Sequence, residues 1–126
     1  AKEWARENLR GQFTTLITPF TPQDELDEAG LRKNIRHIRS LGTRGAGCSW
    51  NMREFWSLTR QERLRLLNVV SEEAAGKWII AAQVTHTCYK EAIALARHAE
   101  ERGFDLLILA APYIVTKTEK QVIEFT

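Results

Sequence analysis

At 126 residues, with 44% hydrophobic and 27% charged residues, the chain has the composition of one globular domain with its own core. It is too short for a whole (β/α)8 barrel, which takes roughly 250 residues. A formal net charge of +2 with dispersed basic residues gives no nucleic-acid footprint, and no apolar run reaches the ~18 residues that span a bilayer.

Residues 1–11 alternate charges with Trp4 and Leu9 and form a short helical lead-in to a single domain spanning 1–126; Gly11 ends it. The lead-in lacks the apolar centre of a signal peptide, and two cysteines, Cys48 and Cys88, make no disulfide framework. A reducing cytoplasm is the expected location. Phe13–Ile17 is β-prone and closes at Thr18-Pro19, where proline blocks further ladder pairing. A polar turn, Thr21 to Asp24, follows.

Asp27 is placed to cap a helix through Leu31, Ile35, Ile38 and Leu41, steps of four, three and three that match the amphipathic period. Gly42 stops it. Arg32, Lys33, Arg36 and Arg39 share this helix and form a solvated charged face. Thr43–Cys48 is a weak strand on its own residues, favoured by its place between two helices. Thr59-Arg60-Gln61-Glu62 is a capping box that opens the next helix, whose stripe is Leu64, Leu66, Leu67, Val69 and Val70 and whose stop is Gly76.

Trp78–Val84 is a continuous apolar run typical of a strand covered on both faces. Thr85 or Thr87 caps a third helix with Ala92, Ile93, Leu95, Ala96 and Ala99 inward and Gly103 at its end. Leu106–Ala111 is a second strand of the doubly buried type. Thr118-Glu119-Lys120-Gln121 is another capping box, opening a helix at the end of the sequence. The order β-α-β-α-β-α-β-α, repeating every ~30 residues, requires a parallel sheet with helical crossovers. Periodicity alone leaves open a doubly wound sheet or half a barrel. No phosphate-gripping glycine fingerprint follows the first strand, which counts against a dinucleotide-binding sheet.

Four stretches carry a resemblance. They are Phe13-Thr14-Thr15-Leu16-Ile17-Thr18-Pro19-Phe20, then Glu54-Phe55-Trp56-Ser57-Leu58-Thr59 with Glu62, then Ile79-Ile80-Ala81-Ala82 through Glu91-Ala92, and Ala111-Pro112-Tyr113. In this order they resemble the dihydrodipicolinate synthase/N-acetylneuraminate lyase family, over roughly Gly11 to Phe125. The resemblance implies an α/β fold, the N-terminal half of a TIM (β/α)8 barrel with four parallel strands alternating with helices. It implies a class I aldolase or hydratase-aldolase, a carbon–carbon lyase that holds a 2-oxo acid such as pyruvate as a Schiff base. The lysine would lie on the sixth strand, outside this chain. A homo-oligomer and a small 2-oxo acid substrate are implied as partners, and no cofactor or metal is expected.

Barrel chemistry gathers at the carboxyl ends of the strands. There the family's Gly-Thr-Thr-Gly-Glu carboxylate-binding motif falls on Trp50-Asn51-Met52-Arg53-Glu54, of which only Glu54 is retained. Asn51 stands where a proton-relaying threonine would be; its amide donates a hydrogen bond but cannot relay a proton as a hydroxyl does. Met52 offers its backbone N–H, and Arg53 replaces a glycine. Ser49 keeps a hydroxyl close by. The substrate-binding set is therefore Ser49, Asn51, Met52 and Glu54. Tyr113 matches the first of two adjacent family tyrosines and, with Asn51, is the candidate catalytic group. Ile114 replaces the second tyrosine, so the synthase-type hydroxyl relay is not supported. Trp50 and Trp56 flank the loop as pocket walls or covers of the barrel mouth.

Rival readings remain. Cys48, His86 and Cys88 leave the same end of neighbouring strands, where Cys and His bind zinc or a thiol pairs with an imidazole. His37 and His98 suit helix surfaces. None of the six lysines falls at a catalytic position: Lys77 precedes its strand on the opposite face, and Lys117 is an exposed helix-lead residue. The non-catalytic alternative is a half-barrel module, or a fragment, that self-associates through open sheet edges.

Overall fold

The computed structural model describes residues 2–49, 55–110 and 118–125. The first helix, α1 (Lys2–Asn8), precedes strand β1 (Phe13–Thr15). Helix α2 (Glu28–Ser40), strand β2 (Gly45–Cys48) and a 3-10 turn at Phe55–Ser57 follow. Then come helix α3 (Arg60–Ala74), strand β3 (Ile79–Gln83), helix α4 (Tyr89–Glu101), strand β4 (Leu106–Ile108) and helix α5 (Glu119–Phe125).

The strands form one parallel sheet in the order β1-β2-β3-β4. This order settles what periodicity left open. A doubly wound sheet reverses its strand order at a switch point, and here every strand lies beside its predecessor, as in a barrel. Each strand is shorter than its apolar run. Strand β1 stops at Thr15, although the Leu16 amide still reaches the Gly47 carbonyl at 3.0 Å. Trp78 lies just before β3, buried, with its indole N–H donating to the Thr43 carbonyl at 3.0 Å.

Strand alternation divides the sheet into two faces. Ala46, Cys48, Ile80 and Ala82 join Leu31 and Ile35 of α2, Leu66, Leu67 and Val70 of α3, and Leu95 and Ala99 of α4 in one apolar cluster. Fully burying a Leu or Ile contributes about 1.5–3 kcal/mol. On the other face small residues alternate with large ones, Thr15, Gly47, Ala81 and Leu106 forming one rung and Phe13, Gly45 and Ile79 another. At Gly45 the backbone comes so close to Phe13 that an added Cβ would sit 2.6 Å from its ring.

The helix starts follow local chemistry. The Asp27 carboxylate accepts the Gly30 amide at 2.9 Å. At α3 the Thr59 amide donates to Glu62 at 2.7 Å and the Glu62 amide to the Thr59 hydroxyl at 3.3 Å, both halves of the capping box. Thr118 and Gln121 exchange the same two bonds ahead of α5, at 3.0 and 3.3 Å. Helix α4 departs from expectation: Cys88 is its N-cap and gives no side-chain cap. Thr85 and Thr87 lie too early to cap a helix that begins at Tyr89.

Three further expectations are corrected. Ile93 is 46% exposed because it lies off the stripe 92–95–96–99, whose i, i+3, i+4, i+7 spacing is the buried one. Strand β4 is not covered on both faces: Leu107 is 48% exposed, and Leu106 and Ile108 are only half-buried. The arginines of α2 are more than a solvated face. Arg32 reaches Glu72 at 2.5 Å, and Arg36 grips both oxygens of Glu73 at 2.7 and 2.8 Å. Arg39 adds a bond to the Glu73 carbonyl. These charges bind α2 to α3.

Candidate active site

The carboxyl end of β2 passes into Ser49, which adopts a left-handed φ of 55°. For a residue with a Cβ this conformation costs about 1–2 kcal/mol. Ser49 is only 1% exposed, and its Oγ is a buried side-chain oxygen with no hydrogen-bond partner among the described residues. Asn51, Met52 and Glu54, with Trp50, lie outside the described residues, as do Tyr113, Ile114 and Lys117. Of the sequence-derived site, Ser49 alone is placed, and it stands at the expected rim. Beyond the loop, Phe55 is buried and Trp56 is exposed, their rings edge to face at 5.2 Å.

A polar network at this rim was missed from sequence. Arg63, in the first turn of α3, is 3% exposed. Its guanidinium donates to the Gln83 carbonyl at 2.7 Å and to the Thr85 carbonyl at 3.1 Å, and lies 5.3 Å from the centre of the Phe55 ring. Burial lowers its pKa from the ordinary arginine value, partly opposed by Cys48. The Thr85 hydroxyl donates to Gln83 Oε1 at 3.0 Å and accepts the Ala110 amide at 2.7 Å. One threonine thus joins the carboxyl ends of β3 and β4. The signal for Arg63 was available: positions 63, 66, 67, 70 and 74 of α3 form one buried stripe at helical spacing, and an arginine opens it.

The cysteine readings are not supported by placement. Cys48 belongs to the helix-side core, and its thiol is pushed up to about 12, chiefly by burial. His86 and Cys88 are exposed, and His86 Nδ1 accepts the Cys88 amide at 2.9 Å. Among the described residues no group of three His, Cys, Asp or Glu side chains is arranged to hold a metal ion. His86 lines a hollow of about 250 Å³ with Phe55, Trp56, Leu58, Arg63 and Thr87. Lys77 borders a separate hollow of about 260 Å³ with Trp4, Arg44 and Asp105, at the amino end of the strands and away from this rim. His98, half-buried, bonds Asn68 of α3 at 2.8 Å.

Among known proteins, the family model described as the dihydrodipicolinate synthetase family matches residues 8–126. A 4-hydroxy-tetrahydrodipicolinate synthase from Bradyrhizobium diazoefficiens is 34% identical over 92% of this chain and 39% of its own length. An N-acetylneuraminate lyase from Citrobacter koseri is 34% identical over 85% of this chain and 36% of its own. The chain thus spans well under half of the relatives it matches. A prophage protein of the dihydrodipicolinic acid synthase family from E. coli K12, solved with pyruvate, superposes with a TM-score of 0.85 at 23% identity. That match covers 93% of this chain and 40% of the neighbour, so the fold is half of such a barrel.

Proposed function

The chain belongs to the dihydrodipicolinate synthetase family, and on that premise we propose that it supplies the N-terminal half of a class I aldolase or hydratase-aldolase acting on a 2-oxo acid such as pyruvate. Its relatives include a 4-hydroxy-tetrahydrodipicolinate synthase and an N-acetylneuraminate lyase. The observation that carries the proposal is the family match over 8–126 laid on four parallel strands whose carboxyl ends share one rim.

In this reading a lysine beyond Thr126 forms the Schiff base with the 2-oxo acid, and the resulting iminium accepts the electron pair when the carbon–carbon bond breaks. The residues of this chain hold the substrate carboxylate. Ser49 supports that role, because its buried hydroxyl, without a partner among the described residues, gains a charge-assisted hydrogen bond when an anion arrives. Asn51, Met52 and Glu54 complete the carboxylate loop, with Tyr113 at the rim. The Asn51, Met52 and Ile114 replacements remove the hydroxyl relay of the synthases and favour an aldolase or hydratase-aldolase over dihydrodipicolinate synthesis. A homo-oligomer in the cytoplasm accords with this reading.

Borohydride reduction in the presence of pyruvate tests it on the polypeptide as encoded. A covalent pyruvate adduct on a lysine past Thr126 is expected, and no adduct anywhere would refute the reading. The exposed apolar groups Leu107 and Leu109 on and beside β4 favour a second reading, a half barrel that pairs with another copy. A stable dimer of this chain with no pyruvate adduct would support that alternative.

A further inference from the structure

Nothing in the carboxylate-binding role requires Arg63, yet the fold buries it. A guanidinium taken out of water loses several kcal/mol of hydration, and a methionine of similar length would fill the same space without that loss. Among the described residues no carboxylate pairs with it. Its donors instead go to two main-chain carbonyls, those of Gln83 and Thr85, at the carboxyl end of β3. The planar fork holds both carbonyls at a fixed spacing from two nitrogens; a lysine ammonium has three donors on one nitrogen and no rigid fork to keep that spacing. Cys48 pairs with Ala82, so Ser49 and Gln83 begin the next step along β2 and β3. Gln83 is held twice there, by its carbonyl on Arg63 and by Oε1 on Thr85. Thr85 then fixes Ala110, two residues beyond the end of β4.

We propose that Arg63 and Thr85 act together as positioning residues, a frame that locks the carboxyl ends of β3 and β4 to the start of α3 beside the Ser49 hydroxyl. The proposal rests on the aldolase reading for what is positioned, the substrate carboxylate. Neither residue touches the substrate. The frame sets the geometry of the rim, so its loss weakens binding more than it slows the chemistry.

The test uses the polypeptide as encoded, with Arg63→Lys, Thr85→Val and Thr85→Ser. Arg63→Lys keeps the positive charge and loses the fork; Thr85→Val keeps the shape and loses both hydroxyl bonds. Each is expected to raise KM for the 2-oxo acid about tenfold with kcat within about threefold, whereas Thr85→Ser stays close to wild type. Amide exchange at Ala110 is the second measurement. Arg63→Lys is expected to speed it, although Arg63 reaches Ala110 only through Thr85. Arg63→Lys with wild-type KM would mean that charge and not geometry matters, and would overturn the proposal. So would Thr85→Val with an unchanged KM and a lowered Tm, the mark of a merely structural bond. If Arg63→Lys fails to fold, the Thr85 pair still decides. If wild-type protein gives no pyruvate adduct, the aldolase reading falls, and exchange at Ala110 alone tells whether the frame exists.

Discussion

Replacing Ser49 by alanine separates stability from function at one position. Its hydroxyl is buried and unpartnered among the described residues, and leaving such a group dry costs about 1–3 kcal/mol. Alanine keeps the Cβ and the left-handed strain of φ 55°, so the change isolates the hydroxyl. The expected result is a gain of about 1 kcal/mol in unfolding free energy, the lower end of that range because the vacated space is small. Urea denaturation measures it as a higher midpoint at unchanged slope. Ser49→Gly relieves the strain as well, and glycine's freer unfolded chain offsets only about 0.5–1 kcal/mol of it, so it should be at least as stable as the alanine variant. In the catalytic assay the order reverses. A hydrogen bond to a charged group contributes about 1.5–3 kcal/mol, so Ser49→Ala should weaken 2-oxo acid binding about 10- to 100-fold. A variant destabilised by more than about 1 kcal/mol would show that the hydroxyl has a structural partner, and the reasoning fails.

Two further predictions concern ionisation. Glu73 has its pKa lowered from the ordinary 4.5, first by its hydrogen bonds from Arg36, against the effect of burial and with help from Arg32. A depressed folded pKa gives stability that is present above the unfolded value and is lost as pH falls through the folded one. Stability should therefore decline below pH 4.5, and Glu73→Gln should flatten that decline; parallel urea midpoints for both proteins between pH 5 and pH 3 would count against the ion network. Cys48, with its thiol near 12 and fully buried, should resist iodoacetamide at pH 8 while exposed Cys88 reacts. Mass analysis of the native protein should find one alkylated cysteine per chain and two after denaturation, and rapid labelling of Cys48 in the native protein would contradict its place in the core.

The helix starts were legible because a cap is a bond between residues three apart, which adjacent sequence contains in full. Asp27, Thr59 and Thr118 are such cases. Cys88, which caps α4 without a side-chain bond, shows the limit: a threonine in the sequence does not reveal where a strand will release the chain. Ser49 was legible as a hydroxyl near the motif, though not its burial or its left-handed backbone, which depend on how β2 meets its neighbours.

The sequence by itself determined four strand–helix units and the amphipathic stripes of their helices, because apolar periodicity is a local property of the chain. Tertiary structure decided the strand order and the partners of Arg63 and Thr85. A buried arginine and an exposed one look alike in a sequence. Only the meeting of α3, β3 and β4 brings the Gln83 and Thr85 carbonyls to one guanidinium, and only the packing around β4 leaves Leu107 exposed.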